Sequence, residues 1–216
     1  MTVPKFALCG LLAFVCLSRP CLAQTETLKT VSLPKPQTDG GKPLMQVLRE
    51  RKSTRAFSAQ KPSDQVLSNL LWAAFGINRA DGRRTAPSAM NRQEVDIYVI
   101  TAEGAWLFDA KENALKPVTA ADLRPLAGTQ DYAREAPVNL VFVADMARMG
   151  NGSAEDKTLY AGADTGFVSE NAYLFCASAG LATVVRASID RPGLAKALVL
   201  RPEQKIILAQ SVGYPK

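Results

Sequence analysis

A chain of 216 residues, 47% of them hydrophobic, is long enough to bury the core of one domain, and no internal repeat divides it. Its 26 basic and 20 acidic residues leave a net charge of +6, too mild for a dedicated nucleic-acid surface. Histidine is absent, which excludes Ser-His-Asp and Cys-His nucleophilic systems and most zinc sites.

Residues 1–23 read as a secretory signal peptide: a positive MTVPK, a twelve-residue apolar run from Phe6 to Leu17, and a small-x-small cleavage pattern at Cys21-Leu22-Ala23. The run is short for a bilayer span, and a retained anchor is the alternative. Cleavage would place the protein in the periplasm or outside the cell. It would leave Cys176 as the single cysteine, hence no internal disulfide, and 24 basic residues against 20 acidic ones, a charge of +4. Residues 24–43, broken by Pro and Gly, read as a polar tether.

LMQVLRE (44–50) places Leu44, Met45, Val47 and Leu48 on one helical face. A second helix starts after Pro62, with Ser63 as N-cap, and its 3–4 apolar spacing ends at Gly76. INRADGRRTAPSAMNRQ (77–93) is a polar loop too long to be mere connection. VDIYVIT (95–101) predicts a strand, 105–118 a hairpin turning at 111–113, ADLRPLAG a short helix, and PVNLVFVADM (137–146) a buried strand. MGNGSAEDK (149–157) reads as a mobile loop. A central helix follows over 163–180, apolar on most sides and stopped by Gly180, which suggests burial from more than one side. Strands over 182–188 and 205–214, with a short helix near 194–198, complete an α+β pattern: a mostly antiparallel sheet flanked by helices.

Little reactive side-chain chemistry is on offer. No GxxxxGK[ST] or GxGxxG sequence is present. Cys176 sits among apolar neighbours as a packing residue. Asp64, Asp122 and Glu203 suit helix starts better than acid–base work. An enzyme of this composition needs a bound cofactor. The segment RKSTRAF (51–57) has two readings. It is a solvated helix end, suited to the helix dipole, or an anion site in which Arg51, Lys52 and Arg55 surround a phosphate and Ser53 adds a hydroxyl.

RKSTRAF after an apolar helix resembles the N-terminal flavin-phosphate motif of the nitroreductase-like FMN enzymes. LLWAAFGINR and then GRRTAPSAMNRQ are similar to that family's second helix and its P-S-x-x-N-x-Q loop. GADTGFVSENAYLFCASAGLAT resembles its central helix, and SVGYPK its Gly-Tyr-Pro ending. The wording is nearest the branch that includes the thiazoline/oxazoline dehydrogenases, and the resemblance covers 44–216.

The resemblance implies an intertwined homodimer with an interfacial FMN site and two-electron transfer to or from a small organic substrate. No protein side chain is assigned a catalytic role, because the flavin carries the chemistry. Arg51 and Arg55 would clamp the phosphate with charge-assisted bonds and Ser53 would add a donor. Lys52 would reach the ribityl or ring side, or face water. Ser88 and Asn91 match polar positions near the ring, supplied by the partner subunit. Gln93 matches the motif too, or serves as a loop-stabilising amide. Val185, Arg186 and Ala187 correspond to the segment over one flavin face, where a backbone N–H would bond flavin N5; the Arg186 cation would narrow the pocket, or favour an anionic substrate or reduced flavin. Lys216 stands where the family often has a further phosphate-binding cation, or frays as a terminus. The electron donor and acceptor stay open. The alternative from another class is a non-catalytic exported binding protein on the same scaffold.

Overall fold

The computed structural model describes residues 1–2 and 28–216; the expected signal peptide and the first part of the tether lie outside the described residues. The described chain builds one seven-stranded sheet in the order β1-β4-β3-β2-β5-β7-β6. In chain order the strands are β1 (Val31–Ser32), β2 (Val95–Thr101), β3 (Gly104–Asp109), β4 (Ala114–Thr119), β5 (Val138–Asp145), β6 (Ala182–Arg186) and β7 (Gln204–Gly213). All the neighbouring pairs run antiparallel. The helices are α1 (Leu44–Glu50), α2 (Asp64–Phe75), α3 (Arg124–Ala127), α4 (Asp131–Glu135), α5 (Ala154–Ala179) and α6 (Arg191–Ala197).

The expected antiparallel sheet with flanking helices is therefore present, and β5 shows why its sequence is almost wholly apolar. It lies between β2 and β7, and every one of its residues is buried. On one face, Leu70 and Leu71 of α2 and Val168, Ala172 and Cys176 of α5 pack on Ile97, Val99, Leu140 and Phe142. Burying a leucine side chain this completely contributes roughly 1.5–3 kcal/mol. On the other face, Ala127 of α3 and Leu194 of α6 cover Tyr98, Ile100, Val141 and Ala209.

Three segments differ from the sequence expectation. The tether is docked from Leu28 onward: β1 pairs with β4, Leu33 is buried, and Asn113 Nδ2 donates to Pro34 O at 2.8 Å. Its few apolar residues suffice because the hairpin edge offers unpaired backbone groups. The central helix begins at Ala154, inside the expected mobile loop. Ser153 Oγ accepts from Asp156 N at 3.0 Å, and Glu155 and Asp156 suit the positive end of the helix. Helix α4 was not anticipated at all; at five residues it carries too little periodicity to be read.

Helix α1 forms as expected, yet only Val47 of its apolar face is buried, while Leu44, Met45 and Leu48 remain exposed. Helix α5 likewise turns Leu159, Tyr160 and Phe167 outward. Its Gly180 stop has φ 71°, a left-handed conformation that glycine adopts without steric cost.

Candidate functional site

Helix α1 closes with Arg51 N donating to Val47 O at 2.8 Å, and the chain leaves it extended. The segment then runs beside the outer edge of β6, where Thr54 N donates to Thr183 O at 2.9 Å. Phe57 is the anchor: it is buried against Ala136, Ala182 and Val184 and bridges to Pro215. Ser58 N donates to Tyr214 O at 2.9 Å and Lys216 N to Ala56 O at 3.3 Å, which holds the C-terminus against the same segment.

A cleft of about 610 Å³ opens there, lined by Lys52, Thr54, Tyr173, Thr183 and Lys216 among others. The Arg51 guanidinium sits 5.2 Å from the centroid of the Tyr173 ring, and Ser53 Oγ lies 2.8 Å from the Tyr173 hydroxyl. Arg55, two residues beyond Ser53, is exposed. Among the described residues, none of Arg51, Lys52, Arg55 and Lys216 pairs with a carboxylate. Glu50 also lines the cleft, but Lys42 bonds it at 2.8 Å and, with Gln46, holds its carboxyl below the usual range. The local field is positive, and the cleft suits an anion.

Of the β6 residues, Val185 faces this region through its backbone: its N–H donates to the Tyr173 hydroxyl at 2.9 Å. Ala187, just past the strand, is exposed, and among the described residues its N–H makes no hydrogen bond. The Arg186 side chain does not reach the cleft, which corrects the expectation that its cation narrows the pocket. Strand alternation turns it to the opposite face, with Ala182 and Val184. There Nη1 donates to Ser211 Oγ at 2.6 Å, and Nη2 to Asn139 Oδ1 at 2.7 Å and Ala127 O at 2.9 Å. Burial without a counter-charge depresses its pKa to about 10. Gly128 makes the room, since a Cβ there would stand 2.5 Å from Arg186 Nε.

Ser88, Asn91 and Gln93 form a second cluster. Ser88 Oγ accepts from Gln93 N at 2.9 Å, while Gln93 receives Arg84 Nε at 2.8 Å and donates to Asn91 Oδ1 at 3.1 Å. Gln93 is thus a loop-stabilising amide. Met90, Asn91 and Gln93 all adopt left-handed backbone, at φ 56°, 54° and 49°. Ala89 N ties this loop to Asp164 Oδ2 at 2.8 Å. Asp164 and Tyr173 are nine residues apart on α5, about 13 Å at 1.5 Å per residue, so one chain does not bring the loop and the basic segment together.

Beneath the loop lies a feature the sequence did not announce. Glu94 is fully buried, and among the described residues neither of its carboxyl oxygens has a hydrogen-bond partner. Desolvation, followed by the neighbouring Asp164, raises its pKa to about 7. Tyr173 was equally silent, because a tyrosine in an apolar helix looks like any other core residue.

The chain's relatives bear on these arrangements. The model of the nitroreductase family matches residues 48–214. A nitroreductase-like protein of Methanocaldococcus jannaschii is 27% identical over 151 residues, 65% of this chain and 76% of its own length. The iodotyrosine deiodinase of Drosophila melanogaster is 28% identical over 196 residues, covering 82% of this chain and 64% of that protein. Among solved structures, a nitroreductase-like protein from Ralstonia eutropha JMP134 is 40% identical, with a TM-score of 0.83 and 99% of each chain covered. One from Desulfovibrio desulfuricans, solved in complex with FMN, shares the fold at 23% identity and a TM-score of 0.59 over 82% of this chain and 88% of its own. On the match across 48–214, the chain belongs to the nitroreductase family.

Proposed function

We propose that the protein is an exported, periplasmic or extracellular, FMN-dependent oxidoreductase that moves two electrons to or from a small organic substrate. The observation that carries this reading is a cleft lined by Lys52, Thr54 and Lys216, with Arg51 and Ser53 against its wall residue Tyr173 and Arg55 exposed two residues on; among the described residues none of these four cations pairs with a carboxylate. Such a set fits a phosphate monoester of roughly −1.5 to −2 charge. Family membership and the FMN-bound relative support flavin as the group that carries it.

Bound FMN would supply hydride chemistry that no side chain of this protein offers. Arg51 and Arg55 would hold the phosphate, and Ser53 would donate its hydroxyl proton to it. Lys52 and Lys216 would add positive charge from the cleft wall. With the Val185 N–H engaged by Tyr173, the exposed Ala187 N–H is a donor at this edge that would be open to flavin N5. The exposed apolar residues of α1 and α5 support a homodimer in which each copy covers the other's Leu44, Met45, Leu48 and Phe167. A second copy would then contribute its own Ser88 and Asn91 to the site.

Anaerobic single-turnover measurements test the reading. FMN-loaded protein reduced with dithionite should pass two electrons per flavin to a quinone or a nitroaromatic. A holoprotein that binds flavin but gives electrons to neither class would contradict it and favour a binding protein on this scaffold.

A further inference from the structure

The hydroxyl of Tyr173 joins three elements distant in sequence: α5, β6 and the basic segment after α1. It is buried, with 5% of the residue exposed. One of its two polar contacts has a definite sense, and it constrains the other. The Val185 N–H can only donate, so the Tyr173 oxygen accepts it at 2.9 Å. Tyrosine has a single hydroxyl proton, and the other polar neighbour is Ser53 Oγ at 2.8 Å. The arrangement that leaves no buried hydroxyl proton unpaired has the tyrosine donating to the serine, which leaves the serine proton for a group in the cleft. The bonds run in one direction, from backbone N–H to tyrosine to serine, and each polarises the next. The same ring lies under the Arg51 guanidinium at 5.2 Å. Between Arg51 N and Thr54 N, no backbone hydrogen bond among the described residues fixes the segment, so the Ser53–Tyr173 contact and the Arg51 stacking hold it there.

We infer that Tyr173 is a positioning residue for the phosphate end of the site: its hydroxyl orients Ser53 as a donor, and its ring holds Arg51 toward the same anion. This rests on the FMN reading above. It assigns Tyr173 to discrimination between a phosphorylated flavin and its dephosphorylated form, not to the electron-transfer step.

The test measures affinity for FMN and for riboflavin by flavin fluorescence in wild type, Tyr173→Phe, Ser53→Ala and the double variant. Amide exchange at Val185 is followed in the same proteins without ligand. Wild type should prefer FMN. Tyr173→Phe should lower FMN affinity about tenfold while leaving riboflavin affinity unchanged. Ser53→Ala should do the same, and the double variant should lose less than the product of the two losses. The Val185 amide should exchange faster in Tyr173→Phe. Equal weakening of both flavins, independent losses, or unchanged Val185 exchange would overturn the positioning role while the FMN reading stands. Should Tyr173→Phe fail to fold, Ser53→Ala decides alone, and an unaltered FMN preference in it overturns the role. A wild type that binds neither flavin, or both equally, overturns the phosphate-site reading and this inference with it.

Discussion

Arg186 Nη2 and Asn139 Oδ1 meet across 2.7 Å between β6 and β5, two strands that do not pair directly with each other. Ser211 on the intervening β7 donates to the same Asn139 oxygen at 2.7 Å, and Asn139 Nδ2 donates to Ala133 O at 2.9 Å. A buried cation here is held by neutral acceptors, with no carboxylate partner among the described residues, and through Asn139 it ties the last strands of the sheet to the middle of α4.

Arg186→Ala is accordingly expected to act on stability. It leaves a cavity and strips a donor from Ala127 O and Asn139, at a cost of about 3 kcal/mol. The melting temperature should fall by roughly 6–12 °C. The ratio of FMN to riboflavin affinity should not move, since the guanidinium lies on the sheet face opposite Tyr173. Thermal unfolding with paired flavin titrations checks both halves of this statement.

Glu94 makes a pH prediction. Its folded-state pKa stands at about 7, above the ordinary value of 4.5, because burial and Asp164 penalise the charged form and Arg148 offsets this only in part. A raised carboxyl pKa means the stabilising contribution is complete below the unfolded value and is lost as pH rises through the folded one. Wild type should therefore lose roughly 1–1.5 kcal/mol between pH 6 and 8.5, nearly all of it before the pH passes about 8. Glu94→Gln should flatten that slope. Denaturant midpoints across this range decide it; identical slopes would show that Glu94 is already ionised at pH 6.

Cys176 lies fully buried on the α5 face that packs on the sheet, and desolvation pushes its thiol up to about 12. The thiolate is the reactive form, so native protein at pH 8 should resist iodoacetamide. Labelling should appear only in denaturant, as read by mass spectrometry.

Ser63 caps α2 by accepting Val66 N at 3.3 Å. Ser63→Ala should cost about 1 kcal/mol, a drop of roughly 2–4 °C in melting temperature. A change within error would mean that water replaces the cap.

Much of this architecture was legible because the strands speak plainly. VDIYVIT and PVNLVFVAD are β-rich and apolar, and β2 and β5 occupy nearly the lengths read from them. The basic segment was legible as well, since three cations in seven residues demand either water or an anion. The first turns of α5 were missed because polar residues around Gly150 and Gly152 look like loop, and only the Ser153 cap reveals the start. Tyr173 depends on a strand that begins nine residues later in sequence, and Glu94 on Asp164, seventy positions away. Such pairings come from tertiary packing, and no local pattern encodes them. The Arg186 side chain follows from strand parity, once Val184 is known to face α4.

The most direct measurement of the central claim is the flavin content of the purified protein, beside that of an Arg51→Ala/Arg55→Ala variant. Wild type should be yellow and should release one FMN per chain on denaturation. The variant should still fold, with at most a modest drop in the melting temperature of the flavin-free protein from the lost Arg51 stacking on Tyr173, and should retain little or no FMN; Arg55 is exposed, Arg51 is half-buried, and among the described residues neither pairs with a carboxylate. A colourless wild type that also fails to take up added FMN, or a variant that holds FMN as tightly as wild type, would contradict the assignment of this cleft to the flavin phosphate.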